Sequence, residues 1–146
     1  MPLLKELKQH RILLDTHVWL WVMSGHSRVS REFVRIYERD VKLNRVLLSP
    51  MSIWETGMLV QKGRIELEID TFEWVNTALE TSGIQLCPIT PRIAIQSSRL
   101  PGDVHGDPVD RLLIATAFDE NLVLVTCDQK ILGYSSENLI NTFDPS

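Results

Sequence analysis

Four acidic residues stand where an α/β chain would bring them to one edge of its sheet. Each follows an apolar run or opens an apolar helical segment: Asp15, Glu55, Asp110 and Asp128. The carboxyl ends of parallel strands and the first turns of the following helices meet at one edge, so we expect these carboxylates to share a pocket. Carboxylate oxygens suit Mg²⁺ or Mn²⁺, and such an ion assists the hydrolysis of phosphodiesters.

Charge repulsion adds a second consequence of such a cluster. Two carboxylates about 4 Å apart repel each other by roughly 4 kcal/mol at an effective dielectric constant of about 20. Four of them in one pocket must take up protons or bind cations. Taken singly, each acid has a structural explanation, because Asp15, Asp107 and Asp128 could cap a helix or turn and Glu55 could be a solvated helix residue. The joint pattern favours the pocket.

The pattern of apolar residues predicts the elements that must position these acids. Short apolar runs predict strands at residues 11–15, 46–49, 84–87 and 122–126, with a last short strand at 139–141. Helical periodicity and capping residues predict helices at 16–24, 27–42, 50–61, 70–81, 90–98 and 107–120. Strands that alternate with helices indicate a three-layer α/β/α fold, with a central parallel sheet of four or five strands and right-handed crossovers.

Length and composition are those of one globular domain. The chain has 146 residues, of which 44% are hydrophobic and 23% charged, and it shows neither a linker nor a repeat, so we expect a single domain over 1–146 with its core at about 11–132. Asp15 and His17 interrupt the first apolar stretch and no secretory signal precedes it, which predicts a cytoplasmic protein without a membrane partner. Cys87 and Cys127 lack metal-ligand spacing and are predicted to be reduced core thiols.

Longer motifs surround the four acids and occur in a fixed order. They are LLDTHVW at 13–19, SIWE at 52–55, HGDPVDRLLIATA at 105–117 and VTCD at 125–128. Together these motifs resemble the PIN-domain family and, within it, the VapC-type toxins of bacterial and archaeal toxin–antitoxin pairs. The resemblance extends from residue 11 to about residue 132, which is nearly the whole chain.

The resemblance implies a PIN-like domain that hydrolyses RNA phosphodiester bonds as a metal-dependent endoribonuclease. It implies that a cognate antitoxin protein silences the enzyme and that Mg²⁺ or Mn²⁺ is the cofactor. By the same resemblance, the catalytic and metal-binding residues are Asp15, Glu55, Asp110 and Asp128. Thr126 would orient a carboxylate or a metal-bound water. Asp107 is expected to be the helix N-cap, with a possible reach into the pocket through water.

A row of basic residues raises the question of how RNA would approach. Arg28, Arg31, Arg35, Arg39 and Lys42 recur at spacings of three or four, which predicts one stripe on a helix. The stripe is either an ordinary solvated face or a surface that binds RNA phosphates and guides the strand to the acids.

The first and third predicted helices carry more apolar residues than one buried face needs. The excess lies at residues 18–23 and at Trp54, Met58 and Leu59. We expect these helices to border a groove for an antitoxin helix or for the second subunit of a homodimer.

Two features beside Asp110 are open to more than one interpretation. Arg111 should point about 100° away from Asp110 on a helix, toward an antitoxin carboxylate, an RNA phosphate or a partner in a surface salt bridge. The loop 99–106 carries Asp103 and His105 and could shape substrate entry. We interpret His105 as a loop or capping residue rather than as a metal ligand.

Three other classes of protein were weighed against this interpretation. A phosphatase of the haloacid-dehalogenase type needs a second Asp two residues after the first, and this chain has His17 there. A receiver domain needs an acidic neighbour for Asp15 and a phospho-acceptor Asp after Leu48, where the chain has Ser49. The remaining alternative is an inactive PIN-like RNA-binding or scaffold module, which would lack one of the acids, whereas all four are present.

Overall fold

A single parallel sheet organises the part of the chain that the computed structural model describes, which is residues 7, 10–102, 104, 106–137 and 140–146. Its five strands stand in the order β3-β2-β1-β4-β5 and all pair in parallel. They are β1 (Ile12–Leu14), β2 (Val46–Leu48), β3 (Gln85–Leu86), β4 (Val123–Val125) and β5 (Asn141–Phe143). The predicted parallel sheet of four or five strands is therefore confirmed.

Helices connect the strands and cover both faces of the sheet. Within the described residues they are α1 (Thr16–Ser24), α2 (Arg31–Val41), α3 (Pro50–Gln61), α4 (Thr71–Ser82), α5 (Pro91–Gln96), α6 (Pro108–Glu120) and α7 (Gln129–Glu137). Alternate residues of β1 enter different cores: Ile12 and Leu14 pack in one cluster with Trp19 and Phe33, while Leu13 packs in another with Leu113. This alternation produces the predicted three-layer α/β/α architecture.

The register of the sheet places the ends of the three central strands side by side. Leu14 of β1 pairs with Leu48 of β2 and with Val125 of β4. The next residues along the chain, Asp15, Ser49 and Thr126, consequently lie at one carboxyl edge. Parallel strands bring polar residues together in this way because each strand ends at the same level.

Capping side chains set most of the helix boundaries. The predicted bounds of α1 and α3 agree with the structure. By contrast, α2 begins at Arg31 rather than at 27, because the Ser30 hydroxyl accepts a hydrogen bond from Phe33 N at 3.1 Å and ends the preceding turn. After α3, Gly63 has a φ of +70°, the left-handed conformation in which glycine commonly ends a helix.

The chain near its C-terminal end differs from the prediction in two respects. Residues 129–137 form α7, where no helix was predicted. The last strand runs over Asn141–Phe143 rather than 139–141, and Leu139 lies outside the described residues. β5 forms the edge of the sheet and places Phe143 against Phe33, with their ring centroids 6.0 Å apart.

The predicted basic stripe is wrong as a single surface. Arg28 precedes α2 and packs over the indole ring of Trp21, while the guanidinium of Arg39 pairs with the buried carboxylate of Asp40 at 2.9 Å. Only Arg31 and Arg35 remain as exposed arginines on the helix itself, and Lys42 caps its end. Because Ser30 caps α2, Arg28 lies in the preceding turn and does not continue the row of arginines on the helix.

Further expectations about the chain can be compared with the structure. Cys87 and Cys127 are both free thiols; Cys87 is buried, and burial raises the pKa of Cys127 to about 11. No helix within the described residues is long and apolar enough to cross a membrane. Phe72, Val75 and Leu79 have the spacing of one helical face, yet in α4 Val75 is buried, Leu79 is partly buried and Phe72 is 80% exposed.

Candidate active site

Asp15 lies at the carboxyl end of β1, where it also begins α1. Its side chain is almost fully buried, and Oδ1 accepts a hydrogen bond from Thr16 N at 2.7 Å. Oδ2 accepts a second one from the Thr126 hydroxyl, also at 2.7 Å. Both carboxylate oxygens therefore have defined directions before any ligand binds.

Thr126 connects two of the predicted site residues. Its buried hydroxyl donates to Asp15 and accepts a hydrogen bond from Asp128 N at 3.0 Å. Of the two predicted roles for Thr126, orientation of a carboxylate is the one that this geometry supports. Asp128 then begins α7, since its Oδ1 accepts from Lys130 N at 2.8 Å and from Ile131 N at 3.2 Å. This contact explains why an acid that was considered for a turn cap begins a helix.

A pair of buried hydroxyls, which sequence reasoning missed, joins α1 to α3. Thr16 Oγ1 donates to Ser52 Oγ at 3.0 Å, and Thr56 Oγ1 donates to the carbonyl oxygen of Ser52 at 2.8 Å. All three residues are fully buried. Ser52 lies three residues before Glu55, so the contact ties the helix that carries Glu55 to the residue next to Asp15. The available signal was the pair of small polar residues, Ser52 and Thr56, one turn apart in a mostly apolar helix.

The start of α6 contributes two more carboxylates. Asp107 is the N-cap, as predicted, and its Oδ1 accepts from Val109 N at 2.9 Å and from Asp110 N at 3.1 Å. Asp110 lies in the first turn and is half-buried. Glu55, also half-buried, lies in the middle of α3, and α3 packs against α6.

Electrostatics show that these acids face one another. The pKa of Asp110 rises to about 8, because burial disfavours its charged form and because Asp107, Asp15, Asp128 and Glu55 all repel that charge. Burial also raises the pKa of Asp15, a rise that the hydrogen bonds from Thr126 and Thr16 oppose and that Glu55 increases. The structure therefore brings Asp15, Glu55, Asp128 and Asp107 within electrostatic reach of Asp110.

The donor set determines which metal ion would fit. Within the described residues, no group of three or more His, Cys, Asp or Glu side chains is arranged to hold a metal ion directly. Mg²⁺, however, commonly takes one or two carboxylates and keeps several waters, so the remaining acids can bind those waters. A divalent cation would relieve the repulsion between Asp110 and the neighbouring carboxylates. The oxygen donors and their charge thus fit Mg²⁺ or Mn²⁺.

Three cavities open around the acids. One of about 590 Å³ is lined by Asp107, Asp110 and Asp128 and includes Lys130. A second of about 360 Å³ contains Glu55 and Asp107, with Lys62 and Arg64. A third of about 260 Å³ contains Asp15 and Asp128, with Arg28. Each cavity therefore combines site carboxylates with at least one basic side chain.

Asp103 and His105 of the predicted entry loop lie outside the described residues.

Arg111 contacts the backbone of the segment that precedes α6. Its Nε donates to the carbonyl oxygen of Ser97 at 3.0 Å and its guanidinium also donates to that of Val104 at 3.4 Å. Arg111 therefore fastens the chain before the site to α6. Among the described residues Arg111 forms no salt bridge, and its pairing with an antitoxin carboxylate or an RNA phosphate stays a prediction.

Comparisons with known sequences identify the family. Residues 12–135 match the model of the PIN domain. Ribonuclease VapC22 of Mycobacterium tuberculosis (strain ATCC 25618 / H37Rv) is 31% identical over 123 residues, which cover 84% of this chain and 91% of that protein. The chain belongs to the PIN-domain family, and the predicted resemblance is confirmed.

Solved structures share the fold at low sequence identity. DNA-bound VapBC from Salmonella typhimurium superposes with a TM-score of 0.67 at 15% identity, over 94% of this chain and 99% of that one. FitAcB from Neisseria gonorrhoeae gives 0.62 at 19%, over 92% and 97%. A toxin–antitoxin complex from Klebsiella pneumoniae gives 0.59 at 18%, over 92% and 98%. These likenesses support the PIN-like α/β/α fold.

Proposed function

We propose that this protein, as a single PIN-like domain, is a metal-dependent endoribonuclease that hydrolyses RNA phosphodiester bonds. The observation that carries the proposal is the group of five carboxylates at the carboxyl edge of the sheet, where burial and the repulsion of the other four raise the pKa of Asp110 to about 8. A group of this kind is costly to the fold unless it binds cations, which indicates a site kept for chemistry. The ribonuclease name of the related mycobacterial protein adds RNA as the substrate.

Each acid has a distinct place in the proposed site. Asp15, Glu55, Asp110 and Asp128 would hold Mg²⁺ or Mn²⁺ directly or through its waters. A bound ion would lower the pKa of a water and polarise the phosphodiester. Asp107 holds the first turn of α6 in place, and Thr126 and Thr16 orient the carboxylate of Asp15.

The protein's own groups then handle the proton of the attacking water. A carboxylate beside that water accepts its proton as general base, and the oxygen attacks phosphorus in line with the leaving 3′-oxygen. The bond from phosphorus to that oxygen breaks, and the leaving oxygen takes up a proton. The products are a 3′-hydroxyl and a 5′-phosphate.

The protein would act as the toxin of a toxin–antitoxin pair and form a homodimer. Support comes from the solved VapBC and toxin–antitoxin complexes that share its fold. Large exposed apolar side chains are consistent with protein partners, since Trp54 is 55% and Phe72 80% exposed. A cognate antitoxin that covers the site or its rim would keep the enzyme silent.

Cleavage of RNA by the purified, antitoxin-free protein tests the proposal. Total RNA from its host is incubated with the protein and Mg²⁺ or Mn²⁺, with and without EDTA. We expect metal-dependent cutting that Asp15→Asn lowers by roughly 100-fold or more, because the variant loses a negative oxygen at the centre of the site. Asparagine still caps α1, so the helix is retained.

A matched control separates loss of chemistry from loss of folding. Asp70→Asn makes the same change at the exposed N-cap of α4, outside the acidic group, and should cut RNA like the wild type. Intact host RNA after incubation with a folded, metal-loaded wild-type protein would overturn the proposal. Such a result would favour an inactive PIN-like binding module.

A further inference from the structure

Arg28 is held in place beside the acidic site by an aromatic ring. Its guanidinium carbon lies 4.7 Å from the centre of the Trp21 indole, a distance typical of a cation–π contact. The turn that presents it begins at Gly25, whose φ of +67° suits glycine, and Arg28 N donates to His26 Nδ1 at 3.1 Å. At the end of the same turn, Ser30 N donates to the carbonyl oxygen of Pro145 at 2.7 Å, which joins the turn to the segment after β5.

Stacking leaves the hydrogen-bonding edge of the guanidinium available. The contact with Trp21 is made to a ring face that accepts no conventional hydrogen bond, so it does not occupy the five N–H donors of the guanidinium. Among the described residues, no carboxylate forms a salt bridge with Arg28; the two ion pairs found there join Arg39 with Asp40 and Arg92 with Asp119. A planar fork of this kind matches the oxygens of a phosphate.

The position of Arg28 meets an electrostatic need of the site. Five carboxylates repel an RNA strand, and the protein as a whole carries a net charge of -4. Arg28 lines the same cavity of about 260 Å³ as Asp15 and Asp128, so a phosphate placed there would meet the cation and the site acids together. An arginine already held over a ring also loses less freedom when it binds an anion.

We propose that Arg28, held against Trp21, binds a backbone phosphate of the RNA strand in the cavity of Asp15 and Asp128. This inference rests on the proposed nuclease function and adds to it a substrate-binding residue outside the acidic group. Trp21 acts as a positioning residue, because its ring faces the guanidinium. The contact aligns the strand without taking part in bond cleavage.

Steady-state kinetics test this role. The substrate is a single-stranded RNA with one cleavage site, chosen from the sites that the wild type cuts in host RNA. Arg28→Ala should raise KM about tenfold and leave kcat nearly unchanged, because the contact is the same before and during cleavage. The dependence of log kcat/KM on log salt concentration should become shallower by about 0.7, the value for one phosphate contact on a single strand. Arg28→Lys keeps the charge and should recover part of the loss.

Two further variants guard against a purely structural effect. Arg28→Gln keeps part of the stem over Trp21 and replaces Arg28→Ala in the test if the alanine variant folds poorly. It should show the same rise in KM and the same shallower salt dependence. Lys42→Ala also removes one positive charge, but it lies just before β2 begins, at the edge of the sheet opposite to the acids. Lys42→Ala should therefore keep the KM and the salt dependence of the wild type.

The outcomes distinguish this inference from the proposed function. A wild-type enzyme that cuts, with Arg28 variants that match Lys42→Ala in KM and salt dependence, would overturn the role of Arg28 alone. A fall in kcat and Tm with an unchanged salt dependence would also overturn it, since that pattern indicates a structural contact. A wild type that neither cuts nor binds RNA would overturn both proposals.

Discussion

Asp110 holds a proton at neutral pH as long as no cation is bound. Its pKa is about 8 in the folded protein, because of burial and the repulsion of Asp107, Asp15, Asp128 and Glu55, against an ordinary value of 3.8. Between these two values the folded state binds a proton that the unfolded state has released. The free energy of unfolding therefore decreases as pH rises through this window.

Replacement of Asp110 by asparagine should remove much of this dependence. In EDTA, the wild-type free energy of unfolding should fall between about pH 4 and pH 8, whereas Asp110→Asn should give a flatter profile and a more stable protein at pH 8. A smaller slope should remain, because the pKa of Asp15 is raised as well. Urea denaturation at several pH values measures both profiles.

The control for this experiment is Asp70→Asn, an exposed N-cap outside the acidic group. Its profile should follow that of the wild type. Equal slopes for the wild type and Asp110→Asn would contradict the prediction and would mean that the pKa of Asp110 is not raised in solution.

Individual residues differ in how far the sequence reveals them. The grouping of the four acids could be predicted because Asp15 and Asp128 directly follow apolar strands, Asp110 lies in the first turn of a helix and Glu55 lies on the helix that follows β2. The contact between Thr16 and Ser52 could not, since it depends on the packing of α1 against α3. For Thr126 the sequence left two roles open, and the 2.7 Å hydrogen bond to Asp15 favours the orientation of a carboxylate.

Among the elements, α7 shows where local pattern fails. Its apolar residues are few, and Gly133, a poor helix former, stands in its middle. The helix forms because Asp128 caps its first turn and because Ile131 and Tyr134 are buried against the sheet's second core. Tertiary packing thus outweighs weak propensity, and packing is not visible in the local sequence.

The segment before α6 depends on Arg111 for its position. Arg111→Met should keep the apolar stem and lose the hydrogen bonds to the carbonyl oxygens of Ser97 and Val104. The free energy of unfolding should fall by about 1–3 kcal/mol, because these carbonyls lose their partner. We expect faster amide hydrogen exchange at 97–102 and a lower kcat/KM. Tyr134 should retain part of the segment, since its hydroxyl donates to the carbonyl oxygen of Pro101 at 2.7 Å.

Arg92→Met is the matched control for this element. Arg92 pairs with Asp119 at the protein surface, where an ion pair contributes only about 0–1 kcal/mol. Its exchange rates at 97–102 should equal those of the wild type. Unchanged exchange in Arg111→Met would show that Arg111 does not hold this segment.

At the scale of the whole molecule, two cores flank a thin sheet whose strands are two or three residues long. The class of fold could be predicted from alternating strands and helices, but the strand order β3-β2-β1-β4-β5 could not, because periodicity carries no information about neighbours. The exposure of Phe72 could not be predicted from its spacing to Val75 and Leu79 either. That side chain lies on α4 with Val75 but points away from the core that Val75 enters.

Two identical substitutions should therefore differ strongly in effect. Phe33→Ala removes a fully buried ring from the core beneath β1 and should lower the free energy of unfolding by about 3–5 kcal/mol. Phe72→Ala removes a ring that is 80% exposed and should change it by no more than about 0.5 kcal/mol in the monomer. Urea denaturation at low protein concentration measures both. Comparable losses would contradict the described burial of α4.

Three of the pocket acids have a second task, because Asp15, Asp107 and Asp128 accept hydrogen bonds from backbone N–H groups at the starts of α1, α6 and α7. Loss of such a cap costs about 0.5–2 kcal/mol. Glu55 and Asp110 lie inside helices that other residues cap. Substitutions at Glu55 or Asp110 should therefore abolish activity at the lowest cost in stability. Inactive homologues that keep only a binding role should retain the three capping aspartates.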